Sequence, residues 1–488
     1  MAPPWVILGR VPRVAAAADE EPEDDAAPAF SLAVALPPRV SLLTAARSAH
    51  PDPTRPDKFP YVLAAGPDCL LSRFSVVPFY GARFGAAADL PEGHLVVARR
   101  FGTAAAAGEA TAAAERVPDR PAAMPRIRSV EGVGLIAVGD GEGYVIAELQ
   151  IERGSDRARL FRVHSGHGRW IETKLTNPLP ARDREWVPGG VVSLQGRLWW
   201  FDLSWGILTC DLFIDGPDLM FYQLPGHRAM DVPALGNIHD SRCITACQGK
   251  LRYMEIMPQL SDLGFESVTV SMWTLNDVSW EKTYEERLEE IWNDNSYKKT
   301  WLPKEVPEIV LVCPSDPDLV YFSLEQRIFS VNVREHRALQ FTSSATAHKL
   351  VNLPWPTSTS SRYVLAWELL HSAAEAGLPV KKEKAHIDEE IHLYAKFCKK
   401  RAEALKGSND YELCHMCFFE KGRFIPVKKL GMEDHCDRFH KTKGFLCEKT
   451  GCVVRAATLR EAGLHHHYCH MQKSRDWWRP YLEEHGQA

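Results

Sequence analysis

"GGVVSLQGRLWWFDLSWGILTCDLF", Gly189–Phe213, is the stretch whose reading decides the fold. Its Val, Leu, Trp and Ile runs break at a Gln-Gly turn, and it reads as two or three strands of a meander. "CITACQGKLRYMEI" (Cys243–Ile256) begins the same way, 53 residues on, counted from Gln195 to Gln248. Gln195-Gly196-Arg197-Leu198 matches Gln248-Gly249-Lys250-Leu251, each a turn followed by a strand. "VYFSLEQRIFSVNV" (Val320–Val333) is a looser third copy around Gln326-Arg327-Ile328. "SVTVSMWTLNDVSWEKTYEE" (Ser267–Glu286) sets Trp273 and Trp280 on a strand pair, and "RWIETKL" around Trp170 echoes "SWEKTY". A strand–turn–strand unit recurring every 40–50 residues or so predicts a mainly β chain: a β-propeller-like domain of four-stranded meanders over residues 1–350. A large β-sandwich with two accidentally similar hairpins is the alternative. The tryptophans read as core and inter-blade packing.

Toward the N-terminus, short β-like runs such as "FSLAVAL", "PYVLAAG" and "GVGLIAVGDGEGYVIAELQIERG" continue the style. The Ala-, Pro- and acid-rich segments 15–29 and 101–125 read as inserts or loops. "VGDGEG" (138–143) and "SGHGRW" read as hairpin turns. Past Pro354 the texture changes: residues 351–410 read as a linker and an amphipathic helix. In the helix, Ile387, Ile391, Tyr394, Phe397 and Cys398 share one face. "YVLAWELLHSAA" either closes the β domain or begins a helix.

The aromatic strand pair around Trp199–Cys210, "CITACQGKLRYMEI" and "WTLNDVSWEK" resemble the plant family known as domain of unknown function 1618. The resemblance spans about residues 1–345 and is strongest over 190–345. It implies a propeller-like β fold related to F-box-associated propellers. It implies no catalytic residues.

The residues themselves point away from catalysis. No nucleophile elbow, P-loop or helix-opening GxGxxG is present. His164 and His167 flank a turn. His239, Asp240 and Cys243 lie in what reads as a polar loop before a strand. Cys243 and Cys247 fall on one strand face, as small apolar groups do.

The chain has 488 residues, 45% hydrophobic and 25% charged, and no apolar run near the roughly 20 residues that span a bilayer. The start lacks a signal-peptide pattern, so the expected setting is intracellular and soluble, in nucleus or cytoplasm. In a reducing compartment, clustered Cys and His point to metal. Five of the twelve Cys fall between Tyr411 and Cys452. Cys414-x2-Cys417 with His435-x4-His440, and Cys447-x4-Cys452 with His465 and His470, supply two four-ligand sets. Cys436 competes with His435; His466 and Cys469 compete in the second set. "FFEKGRFIPV" reads as a hairpin, Met432 and Phe445 as small-core residues, and Leu459 and Leu464 as lining a helix. Residues 411–475 thus form an α+β tail resembling tandem Cys2His2-type zinc fingers, with zinc in a structural role.

Residues 396–479 carry 18 Lys/Arg against 10 Asp/Glu, which leaves about −13 for the rest of a chain of net charge −5. That favours an anionic partner, yet "GMEDHCDRFH" puts acids where base contacts would sit. The reading is a non-enzymatic recognition or scaffold protein with a protein partner. A nucleic-acid-binding regulator is the alternative.

Overall fold

The computed structural model describes residues 5–14, 29–46, 49, 59–67, 69–75, 93–104, 109–138, 143–166, 168–180, 184–214, 216–231, 238–261, 264–324, 327–341, 363–368, 384–405, 410–440, 444–447, 449–456, 462, 465–471, 476, 478–479 and 482. Two compact units emerge. One comprises residues 1–290, 307–340 and 350–378, the other residues 291–306, 341–349 and 379–488.

The first unit is all-β in its framework. It opens with β1 (Trp5–Gly9), β2 (Arg13–Val14), β3 (Phe30–Ala33) and β4 (Val40–Ala45). A first meander follows: β5 (Phe59–Gly66), β6 (Cys69–Ser75), β7 (Gly93–Ala104) and β8 (Glu109–Arg116). Four more have the same plan. They are β9 (Val133–Val138) to β12 (Trp170–Thr176), with β10 (Gly143–Ile151) and β11 (Arg157–His164) between. Next come β13 (Gly190–Leu194), β14 (Arg197–Asp202), β15 (Gly206–Asp211) and β16 (Met220–Gln223). Then come β17 (Arg242–Cys247), β18 (Lys250–Ser261), β19 (Gly264–Asn276) and β20 (Ser279–Arg287). The last are β21 (Glu308–Cys313), β22 (Asp316–Leu324), β23 (Arg327–Asn332) and β24 (Arg337–Phe341).

"YVLAWE" closes the β unit: β25 (Val364–Glu368) pairs antiparallel with β1, from Trp5↔Glu368 to Gly9↔Val364. This completes a sixth blade in the order β25-β1-β4-β3, with β2 on β4, which runs on through the β3–β8 pair into the first meander as one nine-stranded sheet. The first strands touch in a closed cycle: β5 with β9, β9 with β13, β13 with β17, β17 with β21, β21 with β25 and β25 with β5. Among the described residues, four four-stranded sheets and one nine-stranded sheet that supplies two blades make a six-bladed propeller-like domain whose last blade joins both ends of the unit.

Side chains carry bonds from blade to blade. Gln195 (φ 52) with Gly196 (φ 72), and Gln248 (φ 51) with Gly249 (φ 68), have the positive angles of type I′ hairpin turns. Each glutamine spans to the next blade: Gln195 Nε2–H donates to the Gly249 carbonyl at 3.0 Å, and Gln248 Nε2–H to that of Ser315 at 2.9 Å. Indole N–H groups do the same in the core. Trp170 donates to Pro118 (2.7 Å), Trp200 to Gly132 (2.9 Å), Trp280 to Gln223 (2.8 Å) and Trp367 to Gly66 (3.0 Å).

Two expectations are corrected. The third copy around Gln326 is out of register with the Gln-Gly turns. Those join a blade's first and second strands, and the corresponding turn in the fifth blade is Pro314-Ser315, between β21 and β22. Residues 325–326 lie outside the described set, between β22 and β23. Any hairpin alternates apolar residues about a turn, and that shared pattern produced the similarity. The Ala-rich segment 101–125, expected as loop, contains β8. Ala110 and Ala112 are buried against the core, where facing sheets leave room only for small side chains. His167 and nearly all of segment 15–29 are outside the described residues.

Trp200→Phe removes a buried donor and leaves the Gly132 carbonyl unpaired. We expect it to lower stability by about 1–3 kcal/mol in urea unfolding. Gln248→Ala, whose backbone angle is equally strained, loses only its exposed inter-blade bond. It falls by about 0.5–1.5 kcal/mol, and the two losses add.

Candidate metal centres

In the second unit, Tyr411–Leu413 pairs antiparallel with Pro426–Lys428, from Tyr411↔Lys428 to Leu413↔Pro426. Between these short strands Cys414 N-caps the helix His415–Lys421, its Sγ accepting from the Cys417 amide at 3.4 Å. Cys414 and Cys417 therefore share one side of a first helical turn. Gly422 (φ 60) ends the helix: its amide bonds to Phe418 and that of Arg423 to Cys417. The hairpin expected in "FFEKGRFIPV" is thus corrected. Phe418 extends a helix because it is drawn into the core beside Phe397, and only Pro426 and Val427 are strand.

His435 lies in the helix Met432–Phe439, and Met432 is buried with the cysteines. A spacing of five turns a side chain by about 140° around a helix, so His440 cannot join His435 from a helical position. The chain leaves the helix instead: His440 is the C-cap, with extended φ −123 and ψ 155. Cys417 Sγ then lies 3.3 Å from both His435 Nε2 and His440 Nε2, and Cys414 Sγ 3.5 Å from His440 Nε2. Metal–S near 2.3 Å and metal–N near 2.0 Å give a tetrahedral S···N edge of about 3.5 Å. The buried Cys436 is hydrogen-bonded to Cys414 and stands outside the four-donor group.

The second set repeats the solution with different parts. Phe445–Leu446 pairs with Arg455–Ala456, and the Cys447 amide bonds to Val454 at 3.0 Å. Gly451 (φ 81) and the Cys452 amide bond to Lys449 fold the intervening loop back, bringing Cys452 beside Cys447. Phe445, expected in a small core, is 45% exposed: its two-residue strand lies at the surface. His465 and His470 are again five apart. Here the chain winds as a π-helix over His467–Met471, in which residues five apart stack. Cys452 Sγ lies 3.5 Å from His465 Nε2. His470 Nε2 is buried without a hydrogen-bond partner, as a nitrogen awaiting a ligand bond would be. His466 Nδ1 is 3.9 Å from Cys447 but outside the four-donor group, and Cys469 faces Cys398 at 3.7 Å. Leu459 and Leu464 lie outside the described residues.

Thus Cys414, Cys417, His435 and His440 come together in one group, and Cys447, Cys452, His465 and His470 in another. The donor atoms of each lie within 4.8 Å of one another. Both sets can hold a metal ion. Burial pushes the Cys452 thiol up to about 12, and the hydrogen bond that the Cys414 thiol donates to Cys436, with burial, raises that of Cys414. Burial holds His465 well below its ordinary value, so it is neutral and free to ligate.

Residues that the ligand spacing did not single out brace these sets. The helix Lys384–Ala404 places Phe397 and Cys398 in one core with Leu413, Phe418, Trp478 and Leu482. Its Arg401 forms a two-bond pair with buried Glu412, both at 2.7 Å. His415, beside ligand Cys414, stacks on Phe419 at 4.1 Å and meets ligand His465 at 5.7 Å. Tyr394 hydroxyl lies 3.0 Å from His415 Nε2. His415 and His465 thus bring the two sets into contact. The side chains of Ile387 and Ile391 are outside the described ones.

A third grouping lies in the β unit: His336 Nε2 is 2.8 Å from Glu286 and 3.1 Å from Glu290, an arrangement common at protein surfaces. Cys243 and Cys247 are both buried on β17, where desolvation pushes each thiol up to about 12, far from nucleophilic thiolate. His239 sits in a short helix, Ile238–Ser241, in place of the expected loop. The four residues fit one helical turn before β17 begins. No described helix is long and apolar enough to cross a membrane.

Residues 200–321, from the third blade into the fifth, match the family described as "Protein of unknown function (DUF1618)", so the resemblance holds over that span. No curated protein matches the sequence. Among solved structures, a prolyl endopeptidase is similar at 13% identity and TM-score 0.26, over 58% of this chain and 34% of that one. A chain of a mitotic checkpoint complex shows 12% and 0.28, over 58% and 62%. YCF48 bound to a D1 peptide shows 8% and 0.29, over 64% and 89%. The chain thus spans about a third of the endopeptidase and under two thirds of the checkpoint protein. Likenesses this distant carry no argument about function.

Metal needs thiolates; the hydrogen bond to Cys436, with burial, keeps Cys414 protonated at neutral pH in the metal-free protein, and burial does the same for Cys452. Metal binding must therefore expel protons, and affinity rises with pH between about 5 and 8 by up to two decades per unit at each site. Calorimetry in buffers of different ionisation enthalpy reads this directly. An affinity flat across that range would count against the paired thiols as ligands.

Proposed function

We propose that both sets hold zinc as a structural ion, and that the chain is a non-enzymatic recognition or scaffold protein whose partner is another protein. The observation that carries this reading is that each set already offers four protein donors, which leaves no open position for water or substrate. Two thiolates and two imidazoles at tetrahedral spacing suit zinc above harder cations. The His415–His465 contact supports the structural role: losing one ion would loosen the packing beside the other.

The basic balance of the tail favours a second reading, nucleic-acid contact. Against it, the exposed side of the helix Met432–Phe439 presents Glu433, Asp434 and Asp437, which repel phosphate. Arg455 is paired with Glu433 at 3.2 Å. The two sets, in contact through His415 and His465, also lack the independent swivel with which tandem fingers track a groove.

Elemental analysis of the full chain is the test. The expected content is two zinc ions per molecule, falling to one in Cys414→Ser and in Cys447→Ser. Zinc-free protein that keeps its fold in a chelator would end the reading. Fluorescence anisotropy with random duplex DNA, at about 50 and 200 mM salt, decides between the two roles. We expect no binding at the higher salt. Binding that survives there and disappears on chelation would replace the scaffold reading with the second one.

A further inference from the structure

The fourth and fifth blades enclose a cavity of about 370 Å³ that is separate from the metal sets. Its lining includes Lys250, Arg252, Lys282 and Arg334, and among carboxylates only Glu281. Lys250 and Arg252 are two apart on β18, so they project from the same face of the strand. Neither forms a direct ion pair among the described residues, although Asp318 acts on Arg252 at longer range. Lys250 Nζ donates to the Asn276 side-chain oxygen at 2.9 Å, and Arg252 bonds to the Thr274 hydroxyl and the Cys247 thiol. Arg252 is only 6% exposed, and its Nε–H has no partner. The other two cations are partly neutralised: Lys282 by Glu285 at 2.8 Å, and Arg334 by Asp318 at 3.4 Å. Glu281 is taken up by the Asn276 amide at 2.6 Å.

A buried guanidinium with an idle donor is costly unless an anion completes it. Here it stands beside a second cation that has no paired carboxylate, at an open cavity, whereas the buried side chains of Arg120 and Arg184 each have a carboxylate within 3.1 Å. We propose that this cavity binds a small polyanion of the diphosphate class. The Arg252 fork and Lys250 take one phosphoryl group, and Lys282 and Arg334 face the other. The forked guanidinium suits a phosphate's paired oxygens, and the volume exceeds what one phosphate fills. This site is independent of zinc and of the partner proposed above.

The probe is inorganic pyrophosphate, titrated calorimetrically into the full chain at low salt, with inorganic phosphate alongside. Saturable binding of pyrophosphate, tighter than phosphate, is expected. Lys250→Gln/Lys282→Gln should weaken it about tenfold or more, the range for removing two charge-assisted contacts. Both lysines are exposed, so this variant should fold. Lys174→Gln, exposed on β12 of the second blade, changes net charge elsewhere and should leave binding unaltered. Arg252→Lys keeps the charge, loses the fork and should also bind weakly. Absence of saturable binding to the parent chain would overturn the proposal. So would equal weakening by Lys174→Gln, which would mean attraction to overall charge.

Discussion

The pairing of β25 with β1 is the interaction on which the β unit depends. Five of the six blades close locally as meanders, most of their strands finding a partner across a short turn. The sixth takes its first strand from residues 364–368 and the rest from residues 5–45. Without β25 the ring would be open between β21 and β5, with unsatisfied strand edges. Trp367 adds the side-chain part: it is buried, lies edge-on to Phe101 at 4.8 Å and donates to Gly66 in the first blade. The long intervening chain costs little, because loop-closure entropy grows by only about 0.6 kcal/mol per doubling of length. The same pairing has high sequence separation, so it sets a slow, late step in folding.

Parts of this architecture were legible in residues alone. The Gln-Gly turns could be read because a type I′ turn demands positive φ twice, and glycine marks the second place. The meander followed from alternation around them. The blade count was not legible: the first and sixth blades rely on Ala-rich strands such as β8, whose residues fit only because a facing sheet restricts their size. The false third repeat has a related cause. Hairpins look alike whether they join a blade's first and second strands or its second and third, and only pairing distinguishes them.

The metal sets divide in the same way. Cys-x2-Cys and Cys-x4-Cys are local, and so are the two His-x4-His pairs; the grouping of four and four could be read from order along the chain. How five-residue spacing becomes convergence could not. Five positions miss a helical face by well over a quarter turn, and the chain solves this twice by different means. At His440 the helix stops; at His465–His470 it widens into a π turn. Each deviation abandons regular α-helical bonding at a ligand, and each would be a defect unless an ion repaid it. Cys436 and Cys469, equally plausible as ligands by position, are directed instead toward Cys414 and Cys398. The helix Lys384–Ala404 decides the latter through tertiary contact that no spacing rule contains.

Ring closure and metal chemistry leave the ends of the blades free to vary, since the bonds between blades come from a few glutamines and tryptophans acting on backbone carbonyls. Gln248 shows how near the two roles lie. Its amide holds Ser315 in the next blade while its side chain borders the cationic cavity. A chain shaped by stability alone would place a carboxylate opposite Arg252, as it does opposite Arg184 and Arg120. At Arg252 the partners are a threonine hydroxyl and a cysteine thiol, with Asp318 acting only at longer range. Local consistency fails there and almost nowhere else in the blade, and such failures concentrate where a fold meets something outside itself. The cationic pair is therefore better understood as half of an interaction than as a fault in packing.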